Sequence, residues 1–271
     1  MNVLLTNDDG IGAAGLGAMR RALLEVPGIE LAVIAPSSNR SAIGRGITTR
    51  QPLWVDEIDF RDGRSGFATD GTPVDCVRFA SLGLLDGFKP ELIVSGINHG
   101  ANLGDDITYS GTVAAALEGI ILGIPAVAVS QQSRKREMDF RLGEEFDFDK
   151  AAAFTARIVE ELEDVPMPES TLLNVNCPAG EVGGVRVCRL GKRVYRDRLE
   201  LAGEEGGRRR YRIYGDDPHY REEEGTDFAA IAEGHIAVTP LHFDLTDVAG
   251  MKALASFDLD RLLAPAASEV D

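Results

Sequence analysis

The sequence predicts an α/β fold: a Rossmann-like, three-layer, doubly wound and mostly parallel sheet with a C-terminal β-hairpin or arm extension. Three observations carry that prediction. Short unbroken apolar runs, such as Val3-Leu4-Leu5, Leu92-Ile93-Val94 and Ala126-Val127-Ala128-Val129, read as strands buried on both faces. Between them lie segments whose apolar residues recur three and four apart, the spacing of a helix packed on a sheet. The two kinds of segment alternate from the N-terminus to about residue 190, as βαβ units require.

Taken in order, Asn2–Thr6 is the first strand, and it runs into the polar loop Asn7-Asp8-Asp9-Gly10. Leu16, Met19, Leu23 and Val26 mark a helix stopped by Pro27-Gly28, and Glu30–Ala35 is the second strand. A Gly- and Ser-rich loop, Pro36 to Gly46, follows. Thr48–Val55 and Ser65–Thr69 read as extended segments around an Asp62-Gly63 turn. Thr72-Pro73-Val74-Asp75 is a capping box with Pro at the first helical position, opening a helix expected to reach about Leu85. Leu92–Ser95 is a buried strand, followed by the long polar loop Gly96 to Gly111 and a helix over Thr112–Leu122, with Gly123 and Pro125 as its stop. Ala126–Ser130, Asp149–Leu162 and Thr171–Asn176 continue the strand–helix–strand alternation.

Beyond about Leu190 the texture changes. Lys192 to Thr226 is densely charged, with Arg208-Arg209-Arg210 and Glu222-Glu223-Glu224, and reads as an arm rather than core. Ile236–Pro240 returns to strand character, and Met251–Leu263 is expected to close the fold as a helix. The expected division is a Rossmann-like core at residues 1–190, a charged segment at 191–235 that could serve as a β-hairpin arm, a lid or an oligomerisation element, and a strand and helix returning to the core at 236–271.

Composition narrows the function. The 271 residues are 44% hydrophobic and carry a formal net charge of −16, which disfavours stable contact with a nucleic-acid backbone. No apolar run approaches the ~20 residues that span a bilayer, and the first residues lack a secretory pattern, so a cytoplasmic location is expected. Cys76, Cys177 and Cys188 are scattered, which predicts buried thiols rather than disulfides or a zinc site. His99, His219, His235 and His242 show no triad context; His99 alone falls in a candidate loop, where a solvated histidine is the expectation.

In open α/β sheets ligands bind beyond the carboxyl ends of the strands. Three polar loops should meet there: Thr6 to Gly10, Pro36 to Gly46 with Asn39, Arg40 and Ser41, and Gly96 to Gly104 with Asn98 and Asn102. Adjacent carboxylates at Asp8 and Asp9 repel unless a cation stands between them. Carboxylate, amide and hydroxyl oxygens suit Mg²⁺, Mn²⁺ or Ca²⁺ better than Zn²⁺. Thr112 stands at a helix start, where backbone N–H groups and the dipole favour phosphate. A nucleotide binder without turnover is the competing reading, and a Gly-rich phosphate loop would suit it better than two carboxylates.

Val3-Leu-Leu-Thr-Asn-Asp-Asp-Gly-Ile11, Arg40-Ser41-Ala42 with Gly44, Gly71-Thr-Pro-Val-Asp-Cys-Val77, Val94-Ser-Gly-Ile-Asn98 through Asn102-Leu-Gly104, and Tyr109-Ser-Gly-Thr-Val113 stand in that order. As a set they resemble the motifs of the SurE family of 5′/3′-nucleotidases. The resemblance implies a divalent-metal-dependent phosphomonoesterase acting on nucleoside 5′- and 3′-monophosphates, and on short polyphosphate. By residue, it implies one divalent metal per subunit held by Asp8, Asp9, Ser41 and Asn98. It also implies a phosphate pocket lined by Asn102, Ser110 and Thr112, and a homodimer or homotetramer embraced through the arm. Tyr109 departs from the family members that carry His there, so a histidine general acid at that position is not available to this chain.

Overall fold

The computed structural model describes residues 1–136, 145–195, 198–213 and 219–263. Along the chain the elements are β1 (Asn2–Thr6), α1 (Ala14–Leu24), β2 (Glu30–Pro36), β3 (Val55–Asp59), β4 (Ser65–Thr69), α2 (Pro73–Ser81) and β5 (Leu92–His99). A 3-10 turn at Gly104–Thr108 leads into α3 (Gly111–Ile121), β6 (Ala126–Gln131), α4 (Asp149–Glu160) and β7 (Thr171–Cys177). Then come β8 (Val185–Val187), β9 (Arg193–Val194), β10 (Glu200–Glu205), β11 (Arg208–Arg212), β12 (His219–Tyr220), α5 (Asp227–Ala232), β13 (Ile236–His242), α6 (Val248–Ala255) and a 3-10 turn at Asp260–Leu263.

Among the described residues the main sheet has the order β3-β4-β2-β1-β5-β6-β7-β13-β8. It is parallel except where β3 meets β4 and β13 meets β7. Strand periodicity divides the core into two layers. Val3 and Leu5 face Leu16, Met19 and Leu23 of α1 with Ile158 and Val159 of α4. Leu4, between them, faces the opposite way, toward Val77 and Ala80 of α2 with Val113 and Ile120 of α3. Burying each such side chain contributes about 2 kcal/mol. A third cluster, built on Leu103, Phe228, Ile231 and Ala237, packs α5 beneath the loop that follows β5.

The structure departs from the sequence expectations at particular places. Residues 48–54 are not a strand: Thr48 gives its N–H and hydroxyl to the Asp75 carboxylate, and Trp54 gives its N–H to Asp70, so these donors leave the ladder. The capping box of α2 forms as expected, Thr72 accepting from the Asp75 N–H and Asp75 from the Thr72 N–H. The helix stops at Ser81 rather than Leu85, because Gly83 turns into the left-handed region and Leu82 faces solvent. β5 runs four residues past Ser95, through an irregularity that sets Asn98 opposite Ser130 of β6. The arm forms the exposed hairpin β10–β11, and its three arginines are solvated, Arg209 pairing with Glu204. The C-terminal expectation needs correcting in part. β13 does rejoin the sheet against β7, but α6 buries no residue, so the helix does not return to this subunit's core. Residues 196–197, 214–218 and 264–271, which belong to those two expected segments, lie outside the described residues. All three cysteines are buried free thiols, and burial pushes the pKa of each upward.

Candidate active site

The strand order reverses direction at β1 and β5, and the loops leaving those two strands frame a crevice at the carboxyl edge of the sheet. Asn7 shapes the first loop. Its side-chain amide donates to the Gly10 carbonyl at 2.9 Å and its carbonyl accepts from the Gly10 N–H at 3.2 Å, a closed turn that sends Asp8 and Asp9 to opposite sides. Asp8 points toward the start of α3, where Oδ1 accepts the Thr112 hydroxyl. Asp9 points toward the end of β5, where Oδ2 accepts the His99 N–H at 3.0 Å and Oδ1 accepts from Asn39 at 3.3 Å.

Both carboxylates are in surroundings that disfavour charge. Burial, then repulsion from Asp9, pushes the Asp8 pKa from 3.8 up to about 6, against the hydrogen bonds from Thr112 and from its own backbone. Burial likewise raises Asp9, with the His99 N–H opposing. Among the described residues no Lys or Arg forms an ion pair with either.

A small recess of about 30 Å³ opens beside Asp8, space on the scale of a water or an ion. Of the seven residues expected from sequence, five line it: Asp8, Ser41, Asn98, Asn102 and Ser110. Asp9 and Thr112 are not among the lining residues, though Asp9 adjoins Asp8 in the chain and the Thr112 hydroxyl is committed to the Asp8 carboxylate. Ser41 reaches the recess on the loop after β2. That loop is tethered by the Arg40 N–H to the Asp8 carbonyl at 2.6 Å and by the Ser41 N–H to Asn39 Oδ1 at 2.7 Å. Asn98 spends its amide N–H on the Gly100 carbonyl at 2.8 Å, which leaves Oδ1 for the recess. Ser110 caps α3, accepting from the Val113 N–H at 3.1 Å.

Several supporting residues went unrecognised in the sequence. Asn102 is fixed by Asn176, which accepts its N–H at 2.7 Å, by Ser130, which accepts its amide at 2.8 Å, and by Asn174, which donates to its carbonyl at 3.0 Å. The alternation Asn174-Val175-Asn176 inside a buried strand was the available signal. Asp227 accepts the N–H groups of Gly104, Gly191 and Phe228, clamping the β5 loop to the base of the arm. Asp106, in the 3-10 turn, pairs with fully buried Arg193 and accepts the Tyr195 hydroxyl at 3.1 Å. Gly111 is required by contact: a Cβ there would stand 2.7 Å from the Asp8 Cβ.

His99 is not the solvated loop histidine expected. Its ring stacks on Phe146 and Phe148 with centroids 5.1 and 5.0 Å apart, and Nε2 accepts the Gly15 N–H at 3.4 Å. Burial holds its pKa below the usual histidine range, with Asp8 opposing, so the ring is neutral near pH 7 and carries its proton on Nδ1.

Known proteins match this arrangement along most of the chain. The sequence profile of the family described as "Survival protein SurE" matches residues 3–197. A protein of Rubrobacter xylanophilus named 5′-nucleotidase SurE is 51% identical, covering 97% of this chain and 99% of its own. One of the same name from Geobacter sulfurreducens is 45% identical over 96% of this chain and 94% of its own. The crystal structure of the SurE protein from Aquifex aeolicus superposes with a TM-score of 0.78 at 39% identity, covering 94% of this chain and 99% of that one. By profile, by near-full-length identity and by fold, the chain belongs to the SurE family.

Proposed function

We propose that this chain is a divalent-metal-dependent phosphomonoesterase that hydrolyses nucleoside 5′- and 3′-monophosphates to nucleoside and phosphate. One observation carries the reading most directly: Asp8 and Asp9 are adjacent, largely buried carboxylates at the switch point of the sheet, without an ion-pairing Lys or Arg among the described residues. The names of the Rubrobacter and Geobacter relatives support the nucleotidase assignment.

The donor set fits a hard cation. Among the described residues no three His, Cys, Asp or Glu side chains gather as a metal cluster, so two carboxylates would be completed by neutral oxygens, those of Ser41 and Asn98. Mg²⁺ or Mn²⁺ suits such an all-oxygen shell, as Ca²⁺ would in a crystal. A cation held there would supply charge neutralisation at the phosphate and a lower pKa for the attacking water.

The chain's own residues do the rest. Asn102 and Ser110, on the recess wall, orient the equatorial phosphoryl oxygens, and the N-terminal end of α3 adds its dipole. Thr112 acts through Asp8, whose orientation its hydroxyl sets. Asp8 or Asp9 receives the proton of the attacking water. The adjacent carboxylates lack the Asp-x-Asp spacing of aspartyl-phosphate chemistry, so direct attack by water is the favoured route. A site that engages only the phosphoryl group, with the rest of the substrate outside the small recess, would accept both 5′ and 3′ esters and the end of a short polyphosphate.

The test is phosphate release from a panel of 5′- and 3′-nucleoside monophosphates, with chelator and with added Mg²⁺ or Mn²⁺. Metal-dependent release that collapses in Asp8→Asn and Asp9→Asn is expected. A folded, nucleotide-binding protein that releases no phosphate with any metal would refute the reading.

A further inference from the structure

We infer that the ring of Tyr109 is the stacking platform for the nucleobase of the substrate; this rests on the nucleotidase reading and deepens it. At about 30 Å³ the recess cannot enclose a nucleoside, so the nucleoside must lie across its mouth. Two aromatic residues are among the described residues that line the recess, His99 and Tyr109. The His99 ring is already stacked against Phe146 and Phe148. Tyr109 is different: it is 51% exposed, an apolar ring left in water at the entrance of a polar site.

Its placement suits the role. Tyr109 directly precedes Ser110, so its Cα lies about 3.8 Å from that of a residue proposed to hold the phosphate, and the two share the lining of the recess. The backbone beneath it is fixed on both sides. Its N–H donates to the Asp106 carbonyl at 3.0 Å and its carbonyl accepts the Gly44 N–H at 2.9 Å. Asp106 is in turn held by Arg193 and Tyr195 from the base of the arm. A planar ring on a rigid mount at the mouth offers a π-face to any base without reading its edges.

The test compares kcat/KM for 5′-AMP, 5′-CMP and ribose 5-phosphate, which keeps the ester and lacks the base, in the intact chain and in Tyr109→Leu, Tyr109→Phe and Tyr109→Trp. Tyr109→Leu is expected to lower the AMP to ribose 5-phosphate ratio about 10-fold, a value within the range that base–aromatic stacking spans, chiefly through KM. Tyr109→Phe and Tyr109→Trp should keep the ratio, and CMP should lose less than AMP. An equal loss on ribose 5-phosphate, no change on any substrate, or a Phe variant that falls with the Leu variant would each overturn the assignment. So would a change of sedimentation in Tyr109→Leu, which would give the exposed ring to a second copy instead. If the intact chain hydrolyses neither AMP nor ribose 5-phosphate, the nucleotidase reading itself fails, and the Tyr109 assignment with it.

Discussion

Asp8 is held where a carboxylate is poorly solvated, and that has a measurable cost. Its pKa is raised, so the sign of the linkage follows: the neutral acid is favoured in the fold, and the stability it gives is complete below about pH 4 and lost as pH rises through about 6. The loss amounts to about 3 kcal/mol for a fully buried group, before a cation compensates it. In chelator, Asp8→Asn should therefore raise the melting temperature at pH 7 and flatten its decline between pH 4 and 6. The same variant should lose at least ~100-fold in metal-dependent turnover, since it removes a charge that the site is built around. A melting temperature that falls in the Asn variant would show that burial of the carboxylate is compensated elsewhere. The gain in stability on losing the functional group is the trade expected where a strained site carries the chemistry.

The elements matter chiefly for the distances at which they deliver their side chains. Helix α3 approaches the β1 loop so closely that residue 111 has no room for a Cβ. Gly→Ala inside a helix ordinarily stabilises by up to about 1 kcal/mol. Here the added methyl would meet Asp8 at 2.7 Å, so Gly111→Ala is expected to lower the melting temperature and cut kcat at least ~10-fold. Asp227→Ala should cost about 3 kcal/mol in urea unfolding, because three buried N–H groups lose their acceptor together. Activity should fall with it through the Gly104 loop, while Thr72→Ala, which removes the α2 cap and the hydroxyl's bond to the Gly46 carbonyl, should cost about 2 kcal/mol and lower turnover less. These contrasts mark what was legible in the sequence. Asp8 and Asp9 could be read because they follow a strand directly, whereas Asn98, which lies inside β5, and Ser110 were legible through the resemblance of their motifs to the SurE family. Asp227 and Gly104 lie 123 positions apart, and Arg193 and Asp106 lie 87 apart, so no local pattern announces either pair. The end of α2 misled for the opposite reason: Leu82 and Leu85 continue the helical period, yet Gly83 breaks the backbone between them. His99 was misread because its ring partners, Phe146 and Phe148, come from a distant segment.

At the scale of the whole molecule, a chain with net charge −16 leaves a set of large apolar side chains in water at its C-terminal end. Val248, Met251 and Leu254 of α6 are each 58% exposed, and Leu262 and Leu263 beyond them are more so. Strong like charge opposes casual association, so apolar surface retained in spite of it points to a specific contact. Where β13 ends, a cleft of about 570 Å³ opens between Ile120, Ile121, His242 and Phe243, on the edge of the sheet opposite the candidate site. A second copy that lays its α6 into such a cleft would bury apolar area on both chains at once, by an isologous exchange. The homodimer or homotetramer that the family resemblance implies would then draw on the C-terminal helix, with the exposed hairpin β10–β11 available for a further contact. Light scattering behind size exclusion tests this on the full chain and on a chain ending at Phe243. The full chain should elute as a dimer or tetramer at micromolar concentration, and the shortened one as a lower-order species. The shortened chain keeps every residue proposed for the phosphoryl recess and should still bind nucleoside monophosphate. A full chain that is monomeric would leave α6 to some other partner, whereas a shortened chain that stays dimeric would move the interface to the hairpin.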